Sequence, residues 1–193
     1  MALLDLLQQR LGGDAVQQIG NRIGADTGTT GNAIDAALPL LITALARNTG
    51  DPSQAQALAS AVSKDHDGSI LDDVPGYVSR ASEKPGASIL RHVLGGRQQA
   101  VQTGISQATG LDTGKAGTLL TMLAPLVLGA LAKAQKDQRL DAGGLSTLLT
   151  GEQEQLKQSA PGVMGALSRF LDQDNDGSVM DDVSGLLGKA FRR

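Results

Sequence analysis

The sequence predicts an all-α protein. Its apolar residues are almost entirely Leu, Ala, Val and Ile, which recur at helical spacing, and aromatic residues make up only 2% of the 193 positions. Alternating runs of β-branched and polar residues joined by hairpin turns are missing, so no sheet competes for the core. Glycine is abundant, at 25 residues, and falls mostly between apolar segments, where it stops helices rather than building a linker.

The segment MALLDLLQQRLGG opens the chain with Asp5, Gln8, Gln9 and Arg10 at helical spacing and no basic region ahead of its apolar residues. It reads as an amphipathic helix and not as a signal peptide. A second helix is expected over 14–23, with Asp14 as its cap, Val16, Ile19 and Ile23 as its inner stripe, and Gly24 as its stop. Thr27 or Thr30 is then placed to cap a third helix that turns Ile34, Ala37, Leu38, Leu41 and Leu45 inward, interrupted by Asp35 and Thr43. Pro39 sits inside it and is expected to kink the axis.

Nearly the same text returns 86 residues later. GADTGTTG at 24–31 lies on GLDTGKAG at 110–117, and LPLLITALAR at 38–47 lies on APLVLGALAK at 124–133, with Pro39 on Pro125. The Asp-rich stretches DHDGSILDDV at 65–74 and DNDGSVMDDV at 174–183 are separated by 109 residues instead, so the second copy carries an insert within 134–173. The insert contains LDAGGLSTLLTGEQEQLKQSAP, which reads as a short capped helix and a polar connection. The expected organisation is a single globular domain over 1–193, internally duplicated, with pseudo-repeats at about 14–80 and about 100–193 packed through their apolar central helices.

The apolar runs 33–46 and 118–132 fall short of the roughly 18 to 20 residues that span a bilayer. Both read as core helices, and a cytoplasmic location is expected, with unconventional export left open. Cysteine is absent, so disulfides, thiolate catalysis and Cys-based zinc sites are excluded. A net charge of −3 supplies no field that would draw the whole chain to nucleic acid or an anionic membrane.

LLDLLQQRLGGDAV, the two Gly-x-Asp-Thr-Gly segments, ILRHVLGGRQQAV at 89–101, LLTMLAPLVLGAL and the Asp-Gly-Ser stretches together resemble the bacterial domain of unknown function 937 family, and more distantly the YidB-like helical proteins. The resemblance covers nearly the whole chain. It implies a bacterial, all-helical protein and transfers no catalytic residue.

The Asp-rich stretches are the candidate chemistry. Asp172, Asp174 and Asp176 fall at positions 1, 3 and 5 of an EF-hand-like loop, Gly177 at 6, and Ser178 at 7. Alternate residues of such a loop turn oxygens toward one point, and five Asp within 172–182 repel one another without a cation. The loop lacks a closing Glu, because Val183 stands at position 12 and the nearest carboxylates are Asp181 and Asp182, so weak calcium binding is expected. Ser63, Asp65, Asp67, Ser69, Asp72 and Asp73 form a weaker second site, diluted by Lys64 and His66. The alternative at both places is a glycine stop followed by a helix capped by Ser69 or Ser178, with Asp72 or Asp181 three residues on.

His92 is read as a helix residue with a satisfied ring. The sequence AVQQIGNRIGADTGTTGNAI has the cadence of a DNA-binding helix-turn-helix, but its second helix carries no Arg or Lys before Arg47 and is too apolar to lie in a groove. No Ser, His and acid grouping is assembled by spacing. The reading is thus a non-enzymatic helical interaction or structural module, with a protein partner or self-association, no small-molecule substrate and no nucleic acid; a DNA-binding regulator and a metal-dependent hydrolase are the rival readings.

Overall fold

The computed structural model describes residues 2–65, 67–80 and 82–159. Among them are nine α-helices and no strand: α1 (Leu3–Arg10), α2 (Gly13–Ile23), α3 (Thr27–Asn48), α4 (Pro52–Asp65), α5 (Val74–Arg80), α6 (Glu83–Leu94), α7 (Gln98–Thr109), α8 (Thr113–Gln138) and α9 (Ala142–Ser159). The all-α expectation holds. The central helices α3 and α8 pack against each other, α1, α2, α4, α6, α7 and α9 each pack on one or both of them, and α5 packs on α2.

The α2–α3 and α7–α8 junctions use one device. Gly24 and Gly110 end α2 and α7 in the left-handed region, at φ 65° and 75°, where a side chain would be strained. Two residues on, Asp26 and Asp112 cap α3 and α8. The Asp26 carboxylate accepts from the Thr29 amide at 2.9 Å, and that of Asp112 from the Gly114 and Lys115 amides at 2.9 and 3.2 Å. The sequence expectation assigned the first of these caps to a threonine. Aspartate takes it because its short carboxylate reaches the exposed amides, while the Thr30 hydroxyl donates back to the Asp26 carbonyl. Gly12, and not Asp14, occupies the cap position of α2, which leaves Asp14 in the first turn.

Burial follows the 86-residue spacing along both central helices. Ile34 and Leu120, Ala37 and Leu123, Leu41 and Val127, and Leu45 and Leu131 are all buried, and Pro39 and Pro125 both lie inside continuous helices. Each fully buried leucine contributes roughly 1.5–3 kcal/mol, so these two helices hold much of the core. One position differs tellingly: Thr43 is buried with its hydroxyl unpartnered, whereas Gly129, at the same place in α8, receives Ile70.

Helices α3 and α8 run to 22 and 26 residues, longer than the apolar runs read from sequence, because their Thr- and Gly-containing first turns are helical too and each continues past its apolar run, α8 as far as Gln138. By length and composition alone both are long and apolar enough to cross a membrane; here most of each apolar window is buried inside the protein. The supposed short helix of the insert is also longer than expected. Asp141 caps it, accepting from the Gly144 amide at 2.8 Å, and α9 then continues through the polar GEQEQLKQS segment. The polar residues there lie mostly on the outer face: Leu145, Leu149 and Leu156 point inward, with Glu152 the one charged residue among them.

Helices α4 and α9 begin alike. Asp51 begins α4 as Asp141 begins α9, accepting from the Ser53 and Gln54 amides at 2.7 and 3.2 Å, and the buried Ala55, Ala59 and Val62 match Leu145, Leu149 and Glu152 in register. Each then crosses to the other half: α9 packs on α3 and α4 packs on α8.

Candidate functional site

The first Asp-rich stretch forms the bend between α4 and α5. Gly68 makes it at φ 83°, a conformation that strains any side chain, and it lies close against Gly129 and Lys133 of α8. The chain then makes one 3₁₀ turn, Ser69–Leu71, which sets Ile70 over Gly129 and buries Leu71.

The carboxylates around this bend bond to the backbone beside them. Asp67 accepts from the Ser69 hydroxyl at 2.6 Å and the Ser69 amide at 2.9 Å, and these two bonds, the hydroxyl first, hold its carboxyl below the usual range. Asp73 accepts from the Gly76 amide at 2.8 Å and pairs with Arg80 at 3.2 Å, again lowering its carboxyl, with the Gly76 amide the larger cause. Asp73 is therefore the cap of α5, in place of the Ser69 and Asp72 pair suggested by sequence. Ser63 donates its hydroxyl to the Ser60 carbonyl at 3.1 Å within α4, and Asp72 is exposed. Among the described residues, no group of three or more His, Asp or Glu side chains is placed to hold a metal. The Asp65 side chain and the whole of the second loop, Asp172, Asp174, Asp176, Ser178, Asp181 and Asp182, lie outside the described residues.

Arginines from α1 and α2 fasten the bend. Arg10 donates to the Leu71 carbonyl at 3.4 Å, and Arg22 donates to the Val78 and Ser79 carbonyls at 3.0 and 3.2 Å, where it offsets the exposed carbonyls at the end of α5. Tyr77 is half-buried beside them, and burial pushes its phenol up.

A concave surface that spacing did not reveal lies between α4 and α6. The cavity, of about 290 Å³, is lined by Leu45, Leu58, Ala61, Ile89, Val93 and Leu128. Asn48 and His92 stand at its rim. The Asn48 amide donates to the Val93 carbonyl at 3.0 Å, fixing the end of α6. The His92 Nδ1 lies 2.9 Å from the Ser88 carbonyl, which only accepts, so in the neutral ring Nδ1 carries the proton and Nε2 is left as an acceptor. That agrees with a histidine satisfied by its own helix. The signal in the sequence was the pair of apolar steps Ala57 to Ala61 and Ile89 to Val93, four residues apart on helices that chain order does not join.

A second groove, of about 370 Å³, occupies the corresponding place in the other half, lined by Leu6, Gln9, Arg10, Lys133, Asp137 and Leu148. Leu6 and Ile89 each lie five residues ahead of a Leu-Gly-Gly, and Leu58 and Leu148 each lie seven residues past a capping aspartate. This copy is charged, and its Lys133 and Asp137 pair at 3.2 Å. The helix-turn-helix cadence of α2 and α3 leads to no exposed recognition face, since α3 is buried along most of its length.

A family model described as a bacterial protein of unknown function (DUF937) matches residues 5–134. The chain belongs to the DUF937 family. Neither a curated protein nor a solved structure matches it. The DUF937 match spans most of α1 to most of α8, including the capped bend and all residues lining the apolar groove, and stops short of α9.

Proposed function

We propose that this DUF937 protein is a non-enzymatic helical interaction module whose working surface is the groove between α4 and α6, and that its partner presents one amphipathic helix. The observation that carries this reading is the contrast between the two grooves. At the same place in each half, one is edged by Arg10 and the Lys133–Asp137 pair, while the other keeps Leu58, Ala61, Ile89 and Val93 half-exposed. Two helices flanking an apolar trough match the way a partner helix is received, through anchors three and four residues apart. The described aspartates Asp26, Asp51, Asp67, Asp73, Asp112 and Asp141 all serve as caps or turns, which fits a scaffold better than acid–base chemistry.

A photo-crosslinking residue at Ala61 tests this in cells. The expected result is one discrete protein adduct at Ala61, none at the exposed Thr147 of α9, and loss of the adduct when Ile89→Asp is added to a chain that keeps its helical circular dichroism. Equal labelling at Ala61 and Thr147, or an adduct indifferent to Ile89→Asp, would remove the groove from this role.

We further propose that calcium stabilises the protein through the loop at 172–182, with the carboxylates of Asp172, Asp174 and Asp176, the Ser178 carbonyl and either Asp181 or Asp182 as its oxygens. What supports it is the order of oxygen-bearing residues around Gly177. Lacking the closing Glu, the loop is expected to bind with a Kd of about 10⁻⁴ to 10⁻³ M. Calcium at about 5 mM then adds about 1 to 2 kcal/mol, a melting shift of about 2 to 8 °C for a chain of this size. Magnesium is expected to do less. Asp172→Ala with Asp176→Ala should abolish the shift; a wild-type melting curve unchanged by calcium would end the proposal.

A further inference from the structure

Glu152 of α9 is the one charged residue in the buried set among the described residues, at 6% exposure. Its carboxylate reaches the start of α1, accepting from the Leu3 amide at 2.6 Å and the Leu4 amide at 3.3 Å. Packing does not demand a carboxylate there. Eleven residues past the Asp51 cap the same position is Val62, fully buried, whereas eleven residues past Asp141 it is Glu152. Helix α9 lies beyond the DUF937 match, whereas α1 lies within it from Asp5 onward, so the contact ties a helix outside the match to one mostly inside it.

Each helix needs the other. Ala2, at the cap position of α1, has no side chain that accepts, so Glu152 supplies from α9 the cap that α1 lacks. With only 8 residues, α1 is too short to hold as a helix on its own account. Conversely, the Leu3 and Leu4 amides are the donors that hold the buried Glu152 carboxylate, so the loss of α1 removes both the cover and the hydrogen bonds that fix this turn of α9. Leu3, Leu7 and Leu11 seat α1, which packs on α8, and Leu145, Leu149 and Leu156 seat α9, which packs on α3 and α4.

We propose that α1 and α9 form one strap across the bundle, latched by the Glu152 carboxylate on the α1 amides, and that the two helices open together while α2, α3, α7 and α8 stay folded. Opening uncovers apolar faces of α3 and α8 that the rest of the bundle leaves to the strap. Because α9 also backs α4, opening reaches one wall of the α4–α6 groove, but the proposal does not depend on that groove receiving a partner.

Hydrogen–deuterium exchange with mass spectrometry, on the full chain, tests it through three variants, two at Glu152 of α9 and one at Leu11, the far end of α1 from the latch. Glu152→Ala is expected to accelerate exchange about ten- to hundred-fold in both 3–11 and 142–159, the range set by losing hydrogen bonds to a charged group. Glu152→Gln, which keeps the shape and one acceptor, is expected to give a smaller acceleration of both. Leu11→Ala, at the end of α1 away from Glu152, is expected to accelerate α9 as well as α1. Acceleration confined to α1 in Leu11→Ala would show that the latch does not couple the helices. Acceleration spread equally into α3 and α8 in Glu152→Gln would show global loosening and overturn the strap.

Discussion

Gly86 records how closely α6 lies on α8. A methyl group added there would overlap the Thr121 carbonyl, a backbone atom that cannot swing aside, whereas one added at Gly151 of α9 meets nothing within 4 Å. The two glycines look alike in the sequence, as interruptions of helical segments. Gly86→Ala is expected to destabilise the protein by about 1–3 kcal/mol, as the helices are forced apart. Gly151→Ala is expected to stabilise it by about 0.5–1 kcal/mol, because alanine restricts the unfolded chain at no steric cost. Urea midpoints of opposite sign check both. Gly24 and the in-helix prolines were legible because they act on their own backbone, but the identity of a cap was not: Asp26 and Thr27 are adjacent, and only the geometry of the turn decides which side chain faces the amides.

Helices α3 and α8 could be read from their apolar residues, since a helix buried nearly all round leaves a long uninterrupted record. Helix α9 was read too short, because its outer face is as polar as a loop and its inner face shows only one apolar residue per turn. The bend at 67–73 had two readings that use the same aspartates, and in the described residues Asp67 and Asp73 bond to amides. Those bonds have a pH consequence. Thr29, Ser53 and Ser69 hold Asp26, Asp51 and Asp67 below their ordinary value of 3.8, and the Gly76 amide followed by Arg80 does the same for Asp73. A carboxyl whose native pKa is depressed stabilises the fold fully above its unfolded value and loses that contribution as pH falls through the native value. The melting temperature is therefore expected to be flat for these groups down to about pH 5 and to fall below about pH 4. Replacing Asp67 and Asp73 by Asn should lower the neutral-pH melting temperature and make the acid fall shallower; an acid limb of unchanged steepness would show that these caps contribute nothing.

At the scale of the molecule the two halves interlock. Helix α3 packs on α7 and α9 as well as on α2, and α8 takes α1, α2 and α4 as well as α6 and α7. The Lys115 ammonium, near the start of α8, donates to the Gly24 carbonyl in the turn between α2 and α3, so the two junctions also meet. The 86-residue spacing was visible in the sequence, but the exchange of helices across the halves, and the two grooves it creates, were not, since they join residues from helices distant in the chain. Splitting the chain at Ala81, between α5 and α6, tests most directly whether these halves form a single interlocked domain. Fragments 1–80 and 82–193, followed by circular dichroism and sedimentation, are expected to be poorly helical alone and to recover the helicity of the intact chain as a one-to-one complex when mixed. A fragment that melts cooperatively by itself, with no gain in helix on mixing, would contradict it.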